Sequence, residues 1–467
     1  MNIQFLGAAG QVTGSMIYLT YKHLKLLIDC GQFQGTLKEE SLNYESLPFN
    51  ATDLDAILLT HAHIDHSGRV PLLVKRGFTQ KIFCTAPTSR LSEILLRDSG
   101  KIHETETAWE NKKRKRAGLD PVEALYTEED AINALPYLYQ MDYGQKQVLD
   151  EDLEFYFTRA GHLLGSASIV MRYKDEKDQQ YKTVVFSGDL GGGTNPLEPP
   201  YEPPTSADTV IMEATYGGKH HTGVTTRIQN MVDIILEADR QGGTVLIPSF
   251  AVGRTQEVIF ELRQFLDTCD LETKDRLLSI PIYIDSPLAI EATKLYDAHI
   301  EYMSETIQKY EGAPFKLPNL HLVTSIEGSI ALNTMKGCKV IISASGMCEA
   351  GRITHHLKHN LWKSNTHVIF IGYQGEETLG RRLLDGEKSV KIMDSDVIVA
   401  ARLHDLHGFS GHADEEGLLR WVNQIQSIKK IIINHGEEES RFALKEKLES
   451  EGDYEILMPE IGDGFEL

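Results

Sequence analysis

A chain of 467 residues with 41% hydrophobic content can fill two or three cores of roughly 150 residues each, so composition gives a globular protein. No charged-then-apolar leader and no run of about 18 apolar residues occurs, which argues against export and membrane insertion and makes the cytoplasm the expected location. The five cysteines, Cys30, Cys84, Cys269, Cys338 and Cys348, are scattered without a CxxC pair; this argues against a disulfide frame and a cysteine-based zinc site, and the net charge of −21 weighs against nucleic acid as a bulk partner.

The opening NIQFLGAAGQVTGSMIYLTYKHLKLLIDCG reads as two short strands joined by a Gly-rich turn, then a third apolar run ending at Asp29. Strand DAILLTH follows, then a His-rich loop, a helix over 70–76, strand KIFCT, and helical periodicity over 89–116. Near the end of that helix NKKRKRAG, from Asn111, is a dense cationic run; it reads as a solvated face balanced by Glu104, Glu106 and Glu110. EFYFTRAGHLLGSASIVMRY and KTVVFSGD are strands with polar ends.

After the Pro-rich loop NPLEPPYEPPTSAD the texture changes to apolar strand, short Gly or Ser loop, amphipathic helix, as in TVLIPSFAVGRTQEVIFELRQFL and KVIISASGMCEAGRITHHLKHNLW. That is the rhythm of a parallel α/β sheet, whose ligand loops lie after Pro248, Asp285 and Ala344. From about Val397 short strands with polar ends return, in FSGHADEEGLLRW and KKIIINHGEEES. The expected organisation is a first domain in two segments, 1–207 and 397–467, with a second domain inserted over 208–396.

The segment THAHIDHSGRVP, from Thr60, places His61, His63, Asp65 and His66 just past a strand. A period of two puts His61 and His63 on one side of extended chain, while Asp65 and His66 turn into the next helix. Zinc in catalytic sites takes imidazole nitrogen and carboxylate oxygen and keeps a position open. One loop cannot surround two ions, so further donors are expected from distant strand ends: His162, Asp189 and His435 each sit where an apolar strand runs out. Singly each is an ordinary turn or capping residue; together with the cluster, coincidence would have to act at four places.

This array resembles the metallo-β-lactamase superfamily, and within it the β-CASP nucleases, which include RNase J and the endonuclease subunit of the messenger-RNA cleavage and polyadenylation complex. The superfamily motifs correspond to Asp29 in LIDCG, the HAHIDH cluster, His162 in AGHLLGSAS and Asp189 in SGD; those particular to β-CASP correspond to Glu213 in MEATYG, His412 in FSGHAD and His435 in INHGE. The resemblance implies an α/β fold, an αββα sandwich carrying an inserted β-CASP parallel α/β domain. It implies that His61, His63 and His162 hold one zinc, that Asp65, His66 and His435 hold a second, that Asp189 bridges them, and that Asp29 orients the ligands. Manganese could enter the same donors.

Paired cations can activate water and clamp a phosphodiester, with Asp65 among the catalytic residues, His412 as general acid, and Glu213 orienting His412 and raising its pKa. SASGMCEAGR offers backbone N–H groups to a phosphate, so Ser345, Gly346 and Arg352 are candidate contacts, as is Arg254; for each arginine an internal salt bridge is an equal reading. The adjacent imidazoles of KHH, at Lys219–His221, read as loop polarity. The expected function is a two-zinc ribonuclease acting on single-stranded RNA in processing or decay, with no membrane partner and with a homodimer allowed. The alternatives are a DNA-directed β-CASP nuclease, which 2′-OH contacts would distinguish, a thioester or lactone hydrolase, which needs neither Glu213 nor His412, and a partner-dependent RNA-binding scaffold, which should have lost ligands.

Overall fold

The structure is a computed structural model that describes residues 1–467 apart from Glu376 and His407. It divides into two compact units: Met1–Gly193, Glu198–His220 and His412–Leu467 form the first, and Thr194–Leu197 with His221–Gly411 form the second.

The first unit holds two seven-stranded sheets. One runs, in spatial order, Gly464–Glu466, Asn2–Gly7, Met16–Tyr21, Leu24–Ile28, Ala56–Leu58, Lys81–Thr85 and Leu138–Met141. The other runs Glu455–Leu457, Lys430–Ile433, Thr209–Met212, Tyr181–Phe186, Ala167–Lys174, Leu153–Arg159 and Gln147–Asp150. Alternating side chains give each sheet an inner face, and Phe5, Leu26, Phe83, Phe155, Phe157, Ile169, Ile211 and Ile432 fill the layer between them. Helices close both outer faces. Leu73 and Leu96, from helices Val70–Lys75 and Ala86–Ala117, pack with Ile57 and Ile82 on one side. Leu418, Trp421 and Leu444, from Glu415–Val422 and Glu438–Glu451, pack with Val185, Val210 and Ile431 on the other. The result is an αββα sandwich.

The second unit is built on a six-stranded, wholly parallel sheet in the order Leu320–Leu322, Ile282–Ile284, Lys339–Ser343, Thr244–Pro248, His367–Phe370 and Arg402–Asp405. Strands Thr244–Pro248 and Lys339–Ser343 are buried at every residue, as helices on both faces require.

Both junctions differ from the expected 207/208 and 396/397. Strand Thr209–Met212 pairs in parallel with Tyr181–Phe186 and with Lys430–Ile433, so it stitches the C-terminal segment into the first unit. Arg402–Asp405 pairs instead with His367–Phe370 at the edge of the second sheet. Among the described residues no helix is long and apolar enough to cross a membrane.

Candidate metal centre

Asp29, Asp189, Glu213 and His435 each follow directly, or within three residues, the end of a strand of the sandwich: Leu24–Ile28, Tyr181–Phe186, Thr209–Met212 and Lys430–Ile433. The His-rich loop follows Ala56–Leu58, and His162 follows Leu153–Arg159, which runs in the same sense as Tyr181–Phe186 because Ala167–Lys174 lies antiparallel to both. One rim of the first unit therefore collects all of them.

The loop is pinned by main-chain bonds to 15–32: Ser15 N–H donates to the Asp65 carbonyl (2.8 Å), Cys30 N–H to that of His66 (2.7 Å) and Gln32 N–H to that of Ile64 (2.9 Å). Gly31 makes this closeness feasible, since a Cβ there would lie 1.6 Å from the Asp65 carbonyl oxygen. The chain is extended through His63 and turns helical at Ile64–Ser67, which sends His61 and His63 one way and Asp65 and His66 another.

Two groups of donors result, His61, His63, His162 and Asp189, and Asp65, His66 and His435, with the ligand atoms of each group within 4.8 Å of one another. In the first, His63 Nδ1 lies 3.1 Å from His61 Nε2 and 3.2 Å from His162 Nε2, and Asp189 Oδ2 lies 3.5 and 3.6 Å from the same two Nε2 atoms. In the second, His66 Nε2 lies 3.0 Å from His435 Nε2, and Asp65 Oδ2 is 3.8 and 3.6 Å from them. Asp189 faces both groups: its other oxygen, Oδ1, is 3.2 Å from His66 Nε2.

Whether a cation fits is decided by spacing and by what is unsatisfied. A tetrahedral ion with donor bonds of about 2.0–2.1 Å holds its donors about 3.3 Å apart, and the edges of 3.0–3.8 Å bracket that figure. Asp189 Oδ1 is buried without a hydrogen-bond partner, an expensive state for a carboxylate oxygen that a cation relieves. Three imidazole nitrogens in the first group also converge at 3.1 and 3.2 Å, where one shared proton serves a single pair and a cation serves all three. The residues fit divalent metal.

The outward ring nitrogens are tied back. His66 Nδ1–H donates to Asp29 Oδ2 at 2.7 Å, and the same carboxylate accepts from Thr60 N–H (2.8 Å) and Thr60 Oγ1–H (2.9 Å). Thr60 Oγ1 also lies 3.1 Å from His61 Nδ1, and Thr215 Oγ1 lies 3.2 Å from His435 Nδ1. This pattern assigns the proton to Nδ1 in His61, His66 and His435 and leaves Nε2 free to bind metal. Thr60 and Thr215 were not singled out from sequence; their only signal is position, directly before His61 and two residues after Glu213.

Burial holds His61 well below an ordinary imidazole and His63 at about 4, so both are neutral donors. Burial pushes His66 the same way, but Asp189, Asp29 and Asp65 outweigh it and raise this group well above the usual range. Burial opposes ionisation of Asp189 and Asp65, and the surrounding imidazoles overcome it and lower both. Without metal, a proton on His66 thus compensates the carboxylates; a dication would replace it.

A third group adjoins the bridge. His412 Nδ1 lies 3.1 and 3.2 Å from the two oxygens of Glu213, and His412 Nε2 is 3.9 Å from Asp189 Oδ2. Glu213 is 1% exposed and is fixed by N–H donors from Leu190 (2.6 Å) and Thr215 (3.2 Å). Burial alone would lower His412, but Glu213 and then Asp189 raise it to about 9.

The phosphate candidates all lie in the second unit. Arg254 is buried and pairs with Glu257; Arg352 pairs with Asp285 Oδ1 at 2.6 Å and donates to the carbonyls of Val323 and Thr324. Both guanidinium groups are therefore committed within their own unit, the salt-bridge reading of each. Ser345 Oγ accepts from Ala350 N–H, and a Cβ on Gly346 would meet the Phe250 ring at 2.9 Å. In the first unit, His220 lies 3.8 Å from Glu415.

An αββα sandwich that collects two adjoining groups of metal donors at one rim, beside a pair of buried Glu213 and half-buried His412, defines the class: a metallo-hydrolase of the metallo-β-lactamase type. The metallo-beta-lactamase superfamily model matches residues 9–249, the Beta-Casp domain matches 255–383, and the Zn-dependent metallo-hydrolase RNA specificity domain matches 396–459. The chain belongs to this superfamily and, within it, to the β-CASP family. It is 36% identical over 467 residues to Ribonuclease TTHA0252 of Thermus thermophilus, covering 99% of both chains. It is 28% identical to an RNase J-like protein of Methanocaldococcus jannaschii (93% of this chain, 92% of the other), and 29% identical to the transcription termination factor FttA of the same organism (94% and 67%). A solved Enterococcus faecalis V583 protein of unknown function shares the fold over 99% of each chain, at a TM-score of 0.53 and 13% identity.

Proposed function

We propose that the chain is a two-zinc ribonuclease that hydrolyses phosphodiester bonds of single-stranded RNA, in RNA processing or decay in the cytoplasm. The observation that carries this reading beyond a generic metallo-hydrolase is half-buried His412 held on buried Glu213 beside Asp189, because phosphodiester hydrolysis expels an alkoxide that needs a proton. The names of the full-length relatives supply the substrate class.

His61, His63 and His162 would hold one ion, Asp65, His66 and His435 the other, and Asp189 would serve both. The ions would supply Lewis-acid polarisation of the phosphodiester and hydroxide at neutral pH. In the metal-free chain Glu213 and then Asp189 raise His412 to about 9; Glu213, which is no metal ligand, would hold Nδ1–H of the loaded enzyme too and leave Nε2–H as the donor to the leaving oxygen. Asp29 and Thr60 keep His66 and His61 in the metal-binding tautomer. A small-molecule thioester hydrolase would have no use for a proton donor built so carefully on a buried carboxylate.

The test is cleavage of end-labelled single-stranded RNA and DNA of one sequence by zinc-loaded protein, beside Asp65→Ala/His66→Ala. Metal-dependent RNA cleavage that the double variant lacks supports the reading. Zinc-replete protein that leaves both strands intact refutes it.

A further inference from the structure

The cationic run is not balanced as its sequence neighbours suggested. Among the described residues no ion pair joins Glu104, Glu106 or Glu110 to Lys112, Lys113, Lys115 or Arg116, and these four cations enter no salt bridge. Glu104 accepts from Glu128 N–H, and Glu106 and Glu110 line a cavity that also has Lys75 and Arg76 in its wall.

The run lies at the end of the 32-residue helix Ala86–Ala117. Residues about 100° apart around a helix put Trp109, Lys112, Lys113 and Arg116 on one face, and Ile102 two turns earlier joins them. The opposite face, through His103, Thr107, Asn111 and Arg114, is the packed one. Asn111 exchanges two hydrogen bonds with the Val122 backbone (2.8 and 2.9 Å), and Arg114 Nε donates to the Asp120 carbonyl at 2.6 Å. The helix end is closed by Gly118, in the left-handed region at φ 73°, whose N–H donates to the carbonyls of Arg114 and Lys115. Capping therefore accounts for Gly118 and Arg114 and leaves the other face unexplained. On that face Trp109 is 65% exposed, with Lys112 Nζ 5.9 Å from its ring centroid.

We infer that this face, Trp109 with Lys112, Lys113 and Arg116, is a second contact surface for single-stranded RNA, separate from the metal residues; the choice of RNA rests on the function proposed above. An exposed indole offers a stacking platform to any base, and cations one to two turns away meet the flanking phosphates. On a chain of net charge −21, four cations outside any salt bridge along about 6 Å of helix axis complement a polyanion locally where the protein as a whole repels it. An anionic membrane is the less fitting partner, because an interfacial helix needs a broad apolar face and this one offers only Trp109 and Ile102.

The experiment measures binding of a fluorescein-labelled 20-nucleotide phosphorothioate RNA to the zinc-loaded full-length protein by anisotropy across a salt series. Variants are Trp109→Ala and the triple Lys112→Ser/Lys113→Ser/Arg116→Ser, and zinc content and cleavage of a six-nucleotide RNA are followed in parallel. Trp109→Ala is expected to weaken binding by at least about fivefold. The triple variant is expected to reduce the slope of log affinity against log salt by about 2, near 0.7 for each lost phosphate contact, with zinc content and short-substrate cleavage unchanged. Wild-type affinity and slope in both variants would overturn the inference while leaving the nuclease reading intact. So would binding to phosphatidylserine vesicles that the triple variant loses while its RNA affinity holds. RNA binding that depends on the stripe in a protein that cleaves no RNA would uphold the surface and refute the nuclease.

Discussion

Asp29→Asn removes one charge and no volume, and its consequence can be worked from the hydrogen bonds. The carboxylate accepts at both oxygens, from Thr60 N–H and Oγ1–H and from His66 Nδ1–H, and it is 2% exposed. An asparagine must point its NH2 at one of these donors. Pointed at Thr60, it leaves a buried N–H unpaired, at about 1–3 kcal/mol. Pointed at His66, it forces the ring proton onto Nε2, the nitrogen 3.0 Å from His435 Nε2 that faces the donor cluster. Either way the second ion loses affinity, by about 10–100-fold on the usual scale for partners of metal-binding histidines. The group of His61, His63 and His162 meets Asp29 only at one remove, through Thr60 Oγ1 and His61 Nδ1, and should hold its ion within a few fold. Chelator competition, read as zinc bound per chain in protein of native circular dichroism, should therefore resolve one weakened and one nearly unchanged site. Two unchanged sites, or two equally weakened ones, would refute the assignment of Asp29 to His66 and of His66 to a separate ion.

His412→Ala should keep its zinc and lose about 10²–10⁴-fold in kcat on RNA; wild-type turnover would remove His412 as the acid. Glu213→Gln withdraws the carboxylate that raises His412 to about 9, and since the acid works only while protonated, the alkaline limb of the pH–rate profile should move to lower pH; an unmoved limb would place the titration elsewhere. In metal-free protein His63 falls from 6.5 to about 4 on folding, so its contribution is present above pH 6.5 and is lost as pH drops from 6.5 to 4, with buried His61 acting in the same sense. His66, raised instead, contributes fully throughout that window. Chemical denaturation of chelated protein should therefore show stability falling with pH there, and a flat profile would contradict the neutral-imidazole assignment. Gly31→Ala drives a Cβ into the Asp65 carbonyl, so elemental analysis should find the Asp65, His66 and His435 ion depleted even in folded protein, and full occupancy would show that the loop gives way without cost.

The donor set was legible because each member stands at the end of an apolar run, a pattern that survives without knowledge of pairing. The two threonines were not, because their role depends on which ring nitrogen faces them. Thr60 matters only since its hydroxyl reaches both Asp29 and His61 Nδ1. The expected junctions of the insert differ from the bounds of the compact units for a related reason. Strand Thr209–Met212 follows a Pro-rich loop and looks like the start of a new unit, yet it is TVIM, buried on both faces, and its partners lie 23 or more residues before it and over 200 after. Local texture locates a strand; only pairing says to which sheet it belongs. The cationic run shows the opposite limit: its acidic neighbours in sequence suggested a balanced face, but on a helix charge balance depends on angle; Glu104 takes the Glu128 amide, and among the described residues no ion pair joins Glu106 or Glu110 to the run.

The division of the HAHIDH loop between two donor groups follows from its backbone. If extended chain continued past His63, Asp65 would share the side of His61 and His63, and four donors would crowd one ion while His435 had none. The turn into helix at Ile64 breaks that period. His66 then swings back to within reach of Asp29 and His435, and Asp65 follows it. The helix start is itself held by the Cys30 and Gln32 amides at the end of a different strand. Asp189, from the other sheet, can reach both groups only because the sandwich holds the two sheet ends together. A peptide of the loop alone would thus have the donors for one ion and no means to separate them into two sites. The second donor group is a property of the fold, in which three further strand ends deliver His162, Asp189 and His435 to positions the loop has left open.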